Sequence, residues 1–248
     1  MADEIVIRDS LGRQITFEDL QTIEGGVHFE ISSGQEVPAE ATEVHAKGYE
    51  AAAAGDYEKA LALFDKASSV APDWPLPVYH AAIAHLYTVN FPRALDYYRR
   101  TLALAPRGFY WARTAVDALQ REEEGTLHKG VFLAYAALER MEDPEKRRGL
   151  IHGILAVAPR FAPALKELAI LTRDTEKRLA IIQRGLAAHP DPDTRGTLLI
   201  NQALTLFSAG DREHAVSILD SVALDPASTP CSAAGAKVAL RVLQSKSP

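Results

Sequence analysis

The sequence predicts an all-α solenoid of stacked helical hairpins, preceded by a small β element and closed by a capping helix. Three observations carry this. Two stretches repeat in register: Ala60 maps onto Ala94, Phe64 onto Tyr98 and Pro72 onto Pro106, an offset of 34 residues. That is the length of one helix–turn–helix repeat unit. Small residues recur where two helices of such a unit would touch: Gly48, Ala60 and Ala67 in the first unit, Ala82, Ala94 and Thr101 in the second. From Ala39 onward the apolar spacing is helical to the end of the chain.

Residues 1–37 read differently. Glu4 to Arg8 is rich in β-branched residues, Asp9-Ser10-Leu11-Gly12 has turn chemistry, and Gln14 to Phe17 suits a returning strand. Thr16 and Asp19 offer an alternative there, the cap of a short helix reaching Ile23. Val27, Phe29 and Ile31 alternate as a third strand, and Ser32 to Pro38 reads as linker. So small a sheet needs support, which places 1–37 as an acidic β-rich segment packed on the first helices of the array.

The array itself spans 38–248. The first unit runs from Ala41 to Trp74 and the second from Pro75 to Gly108. Gly210-Asp211 marks the turn of a well-formed last unit, with Ala203, Ala215 and Val222 at its packing sites. Between Pro106 and Pro159 lie 53 residues, one repeat plus one extra helix. Either His128 to Phe161 is a repeat and 109–127 is unpaired, or 109–122 pairs with 128–141 and 144–157 is odd. Both break the superhelix over 107–160. Arg147 and Arg178 stand where small residues are expected, which favours helices rotated to keep them out. Thr229-Pro230 opens the capping helix 230–245, whose Ala236, Ala239, Leu240 and Leu243 share one face.

These residues resemble the tetratricopeptide repeat family: Gly48, Gly55, Tyr57, Ala60, Phe64, Ala67 and Pro72, then Ala82, Phe91, Ala94, Tyr98 and Pro106, then Ala203, Gly210 and Ala215. The resemblance covers about 41–226 and implies a right-handed superhelix whose first helices line a concave groove. Its groove positions map to Thr42, His45, Tyr49, Ala52 and Ala53, and then to Leu76, Tyr79, Ile83, Leu86 and Tyr87. The family's co-chaperone members clamp a terminal carboxylate with Lys and Asn. The matching positions here hold His45, Tyr49 and His80, so that clamp is absent.

Composition excludes several classes. The net charge is −6, with −7 of it in residues 1–40, so no basic stripe for a phosphate backbone exists. Lys146, Arg147, Arg148, Arg160, Arg173, Lys177 and Arg178 read as a solvated helix face. No apolar run reaches bilayer length, the start lacks a basic-then-apolar leader, and the single Cys231 allows no internal disulfide. Together these point to the cytoplasm. No metalloprotease helix, phosphate-cradling glycine loop or nucleophile elbow is present, and the eight histidines are scattered. No cofactor, metal or catalytic residue is assigned.

The most pointed local feature is Phe109-Tyr110-Trp111 followed by Arg113. Neighbouring helical positions diverge by about 100°, so three rings in a row cannot share a face. They either plug the irregular repeat or line the groove with Tyr49, Tyr79 and Tyr87. The expected activity is therefore a non-catalytic interaction scaffold. It would hold a peptide or partner segment against His45, Tyr49, Tyr79, Ile83, Tyr87, Tyr110 and Arg113. The acidic start could dock on the basic middle helices and cover that groove. The alternative is a small-molecule or enzymatic pocket at the repeat break, near Tyr110, Trp111, Arg113 and Asp117.

Overall fold

The structure, a computed structural model, describes residues 36–141 and 143–245, with the backbone of three short segments before them. Those segments, β1 (Glu4–Asp9), β2 (Gln14–Ile15) and β3 (Val27–Ser32), pair antiparallel in the order β2-β1-β3. Ile7 faces Ile15 across one edge and Phe29 across the other. β3 runs beside the last helix of the array. The Thr16–Ile23 alternative and the core of the linker lie outside the described residues.

Twelve α-helices follow among the described residues. They are α1 (Ala39–Ala53), α2 (Tyr57–Val70), α3 (Pro75–Tyr87), α4 (Phe91–Leu104), α5 (Ala112–Glu123) and α6 (Val131–Ala136). A 3₁₀ turn, Ala137–Arg140, extends α6. The rest are α7 (Pro144–Val157), α8 (Ala162–Leu171), α9 (Thr175–Leu186), α10 (Pro192–Ser208), α11 (Arg212–Leu224) and α12 (Pro230–Ser245). Hairpins α1–α2, α3–α4, α8–α9 and α10–α11 stack along the chain.

The small positions do what their spacing demands. Ala60, Ala67, Ala82, Ala94 and Thr101 are fully buried. A Cβ at Gly48 would stand 2.8 Å from the Phe64 ring, so α1 approaches α2 only because position 48 has no side chain.

Helix exits settle the register of the middle. An Asp or Asn starts each second helix and accepts a backbone N–H from its first turn: Asp56 for α2, Asn90 for α4, Asp174 for α9 and Asp211 for α11. Asp143 caps α7 through the N–H groups of Glu145 and Lys146, as Asp191 caps the first helix α10, so this cap does not by itself mark α7 as a second helix. The exits do: α2, α4 and α7 all leave through an alanine at φ near −130°, followed by proline (Ala71, Ala105, Ala158). α7 is therefore the second helix of a unit whose first helix is α6, and α5 is the inserted one. This is the first of the two alternatives above. α5 packs against α4 and reaches across to α10, where Thr114 Oγ1 donates to Asp191 Oδ1 at 3.0 Å.

The arginines of the middle contradict two expectations. Arg147 is not rotated out: it pairs with Glu167 and donates to the Leu138 carbonyl at 2.9 Å. Nor are its neighbours only a solvated face. Arg148 donates to the Leu171 carbonyl, Arg178 to that of Thr172 and Arg160 to that of Ala187. Helix ends expose orphan carbonyls, and a guanidinium from the adjoining element satisfies them where the repeat is too irregular for a tight turn. Sequence spacing gives the position of a side chain but not this partner.

At the far end Ala236, Ala239 and Leu243 of α12 are buried against Ala203, Ala215, Leu219 and Val222. Thr229 caps α12 through the Ser232 N–H. Among the described residues no helix is long and apolar enough to cross a membrane.

Candidate partner-binding groove

The first helices of three successive units, α1, α3 and α6 with its 3₁₀ turn, place Tyr49, Tyr87 and Arg140 near their carboxyl ends. Tyr57, at the start of α2, joins them. Its ring stacks with that of Tyr87 at 6.2 Å. The Arg140 guanidinium lies 4.0 Å from the centre of the Tyr87 ring, and its Nη1 donates to the Tyr57 hydroxyl at 3.4 Å. The Tyr87 hydroxyl in turn donates to the Ala136 carbonyl at 3.4 Å. Burial opposes the Arg140 charge, but Tyr57, Tyr87 and Tyr49 outweigh it and push its pKa up. Arg140 has no carboxylate within ion-pair distance among the described residues, so a permanently charged, flat donor surface is left facing outward.

Of the seven groove residues expected from the sequence, Tyr49 is 57% exposed, Ile83, Tyr87, Tyr110 and Arg113 are half-buried, and His45 and Tyr79 are buried. Tyr79 is only 3% exposed. Its ring meets Tyr98 and Phe109 edge-on and stacks on Tyr110 at 5.0 Å. Burial lifts its hydroxyl pKa well above the usual phenol value. Tyr110 is held by that stack and takes φ +45°, strained for a bulky residue. Arg113 donates to the Pro106 carbonyl beneath it and runs along Gly108. These residues plug the entry to the inserted α5, the bland option that the sequence left open.

His45 is buried between units. Its Nε2 and the Nδ1 of His80 share a hydrogen bond at 2.7 Å, and it packs against Phe64 and Trp74. One of the pair must be neutral for that bond to form. Burial lowers the His45 pKa to about 4, and burial together with His45 lowers His80 to about 3. His80 reaches the surface beside Tyr49, with ring centres 5.3 Å apart. At the level of sequence, His80 stood out only for the missing clamp and Tyr57 only for the repeat, and Arg140 not at all. His80 and Tyr57 had repeat positions that could have flagged them; Arg140 had none, because it sits in the irregular segment.

Deeper in the middle, α8 supplies a charged cluster. Lys166 Nζ lies 2.8 Å from the Tyr135 hydroxyl and 2.9 Å from Glu167 Oε1. Burial opposes Glu167 ionisation, but Lys166 and Arg147 overcome it and hold the carboxyl at about 2. Glu139, at the edge of this cluster, is lifted to about 7 by desolvation among its neighbours and by Glu167, against Lys166, Arg147 and Arg140. The groups pair with one another, which makes the cluster a brace between α6, α7 and α8.

The residues of the alternative pocket diverge. Trp111 packs on Phe132 and Tyr135, while Asp117 pairs with Arg121 at 3.3 Å. Asp117 lines an open hollow of about 390 Å³ with Arg121, Thr126, Arg160, Ala188 and His189. Among the described residues no three His, Cys, Asp or Glu side chains gather as metal ligands.

No family model and no curated protein matches the chain. It is similar to several solved structures. Residues 41 to the end of MamA from Desulfovibrio magneticus RS-1 share 16% identity, covering 86% of this chain and 100% of that one, with a TM-score of 0.37. TTC0263, a thermophilic TPR protein of Thermus thermophilus, shares 19%, covering 81% and 99%, with a TM-score of 0.34. YrrB, a TPR protein with an unusual peptide-binding site, shares 14%, covering 82% and 92%, with a TM-score of 0.35. In its 34-residue spacing, its capped second helices and its stacked hairpins, this chain resembles the tetratricopeptide repeat proteins.

Proposed function

We propose that the protein is an interaction scaffold that holds a segment of a partner protein against the wall formed by α1, α3 and α6. One observation carries this: Arg140, charged and free of a carboxylate among the described residues, laid on Tyr87 and bonded to Tyr57 in an exposed position. Within a fold, a guanidinium that is not needed for packing is commonly neutralised by a neighbouring acid. Here Glu139 precedes it in the chain without forming an ion pair, and the guanidinium touches the Tyr87 ring and the Tyr57 hydroxyl. Tyr and Arg are the side chains that dominate contact energies at protein interfaces, because they bring area and directed hydrogen bonds at small entropic cost. No reaction is assigned to the site. The groove contacts are Tyr49, Ile83 and Tyr87 from the expected set, with Tyr57, His80 and Arg140 added.

The test is co-purification from the native cell with tagged full-length protein, wild type against Y87A/R140Q. A partner recovered with the first and lost with the second, at equal helicity, supports the reading. Equal recovery rejects it.

A further inference from the structure

The chemistry of the wall narrows what it takes, an inference that rests on the scaffold reading above. We infer that the Arg140–Tyr57–Tyr87 site recognises a single acidic side chain flanked by apolar residues within a partner segment, and neither a chain-terminal carboxylate nor a run of acids.

Each part of this has its own observation. Arg140 offers a planar fork whose back is held by the Tyr87 ring and whose Nη1 is steadied by Tyr57. That leaves donors for one bidentate carboxylate, the arrangement a guanidinium fits best. A terminal carboxylate needs several convergent donors. The side chains that would supply them around the first two units are His45, buried against Trp74, His80, engaged with His45, and Tyr49. A run of acids would need several cations side by side, and Arg140 stands alone in its turn, preceded by Leu138 and Glu139 and followed by Met141. One guanidinium pairs with one carboxylate, so further acids gain no partner there. Ile83, half-buried, lies one helical turn before Tyr87 on α3, and the exposed Tyr49 is near enough to Arg140 to raise its pKa. They suit leucine-like neighbours of the acid.

The experiment is fluorescence anisotropy on the full chain with four labelled nonapeptide pools, each randomised outside a fixed centre. One has Leu-Glu-Leu with an amidated end, one Leu-Gln-Leu with an amidated end, one Leu-Gln-Leu with a free carboxylate, and one four consecutive glutamates. The first pool should bind at least five-fold tighter than the second and third, and no weaker than the fourth at physiological salt. R140Q should erase the preference and R140K should retain part of it, with unchanged thermal unfolding. Equal binding of the first two pools, or a preference that survives R140Q, overturns the inference while leaving the scaffold reading to the co-purification test. Tightest binding by the third or fourth pool overturns it too. So does sedimentation showing a dimer that R140Q splits, because the wall would then belong to a second copy. Neutral substitution of Glu18, Asp19 and Glu24 that sharply tightens the first pool assigns the site to the chain's own acidic start, and likewise overturns it.

Discussion

Arg140 and Tyr87 come from different repeats, and their cation–ring contact at 4.0 Å spans the place where the repeat register changes. The contact falls at the 3₁₀ turn that ends α6. Six residues of α-helix and a 3₁₀ turn place Arg140 over the Tyr87 ring of α3. The most distinctive part of the wall thus lies where the repeat pattern is irregular.

Tyr79 and Tyr87 should separate cleanly. Tyr79→Ala removes a buried ring that touches Tyr98, Phe109 and Tyr110, and should lower unfolding free energy by about 3–5 kcal/mol. Tyr87→Ala, on the wall, should cost about 1 kcal/mol or less and reduce partner recovery instead. Urea unfolding of both variants checks the pair, and equal destabilisation would contradict the assignment of Tyr87 to the surface.

Gly48→Ala tests the close approach of α1 to α2. The new methyl would sit 2.8 Å from the Phe64 ring, and the expected loss is about 1–3 kcal/mol despite the better helix propensity of alanine. A gain in thermal stability would show that the helices have room.

The His45–His80 pair sets a pH dependence. Both imidazoles have folded pKa values below the unfolded value near 6.5, so the unfolded chain binds more protons as pH falls. Their contribution is complete above pH 6.5 and is lost as pH falls toward 4, by at most about 2 kcal/mol from each at pH 5. Glu139 and Asp193, raised to about 7 and about 6, act in the opposite sense over pH 4–7 and blunt the slope. Imidazole proton resonances report the two histidines directly. Those of His45 and His80 should stay fixed from pH 7.5 to 5.5, while exposed His214, raised by Asp211, titrates within reach of neutrality.

Glu167→Gln should destabilise by about 3 kcal/mol, because it leaves Lys166 and Arg147 with no ionised partner in a largely buried setting. Chemical denaturation of E167Q against the double variant E167Q/R147M measures this. The double variant should recover part of the loss, and a neutral single variant would show that the cluster is solvated.

The regular units were legible in the sequence because their physics is local. Small residues mark helix contacts, and Asp or Asn marks the turn, so α1–α4 and α10–α12 follow from spacing. The middle was not, because its stability comes from partners distant in sequence: Arg147 with Glu167, Arg148 and Arg178 with the end of α8, Thr114 with Asp191. The candidate wall was half legible. A repeat position states that Tyr79 faces inward from α3, but not that Tyr110, displaced by the inserted α5, will already be stacked on it.

The most direct test of the wall is site-specific photocrosslinking in the native cell, with a photoreactive phenylalanine at Tyr49 or, on α11, at the exposed Leu224. Position 49 should give a discrete partner adduct that disappears in the R140Q background, and position 224 should give none. Adducts from 224 alone, or an adduct from 49 that R140Q leaves untouched, would contradict a partner site on this wall.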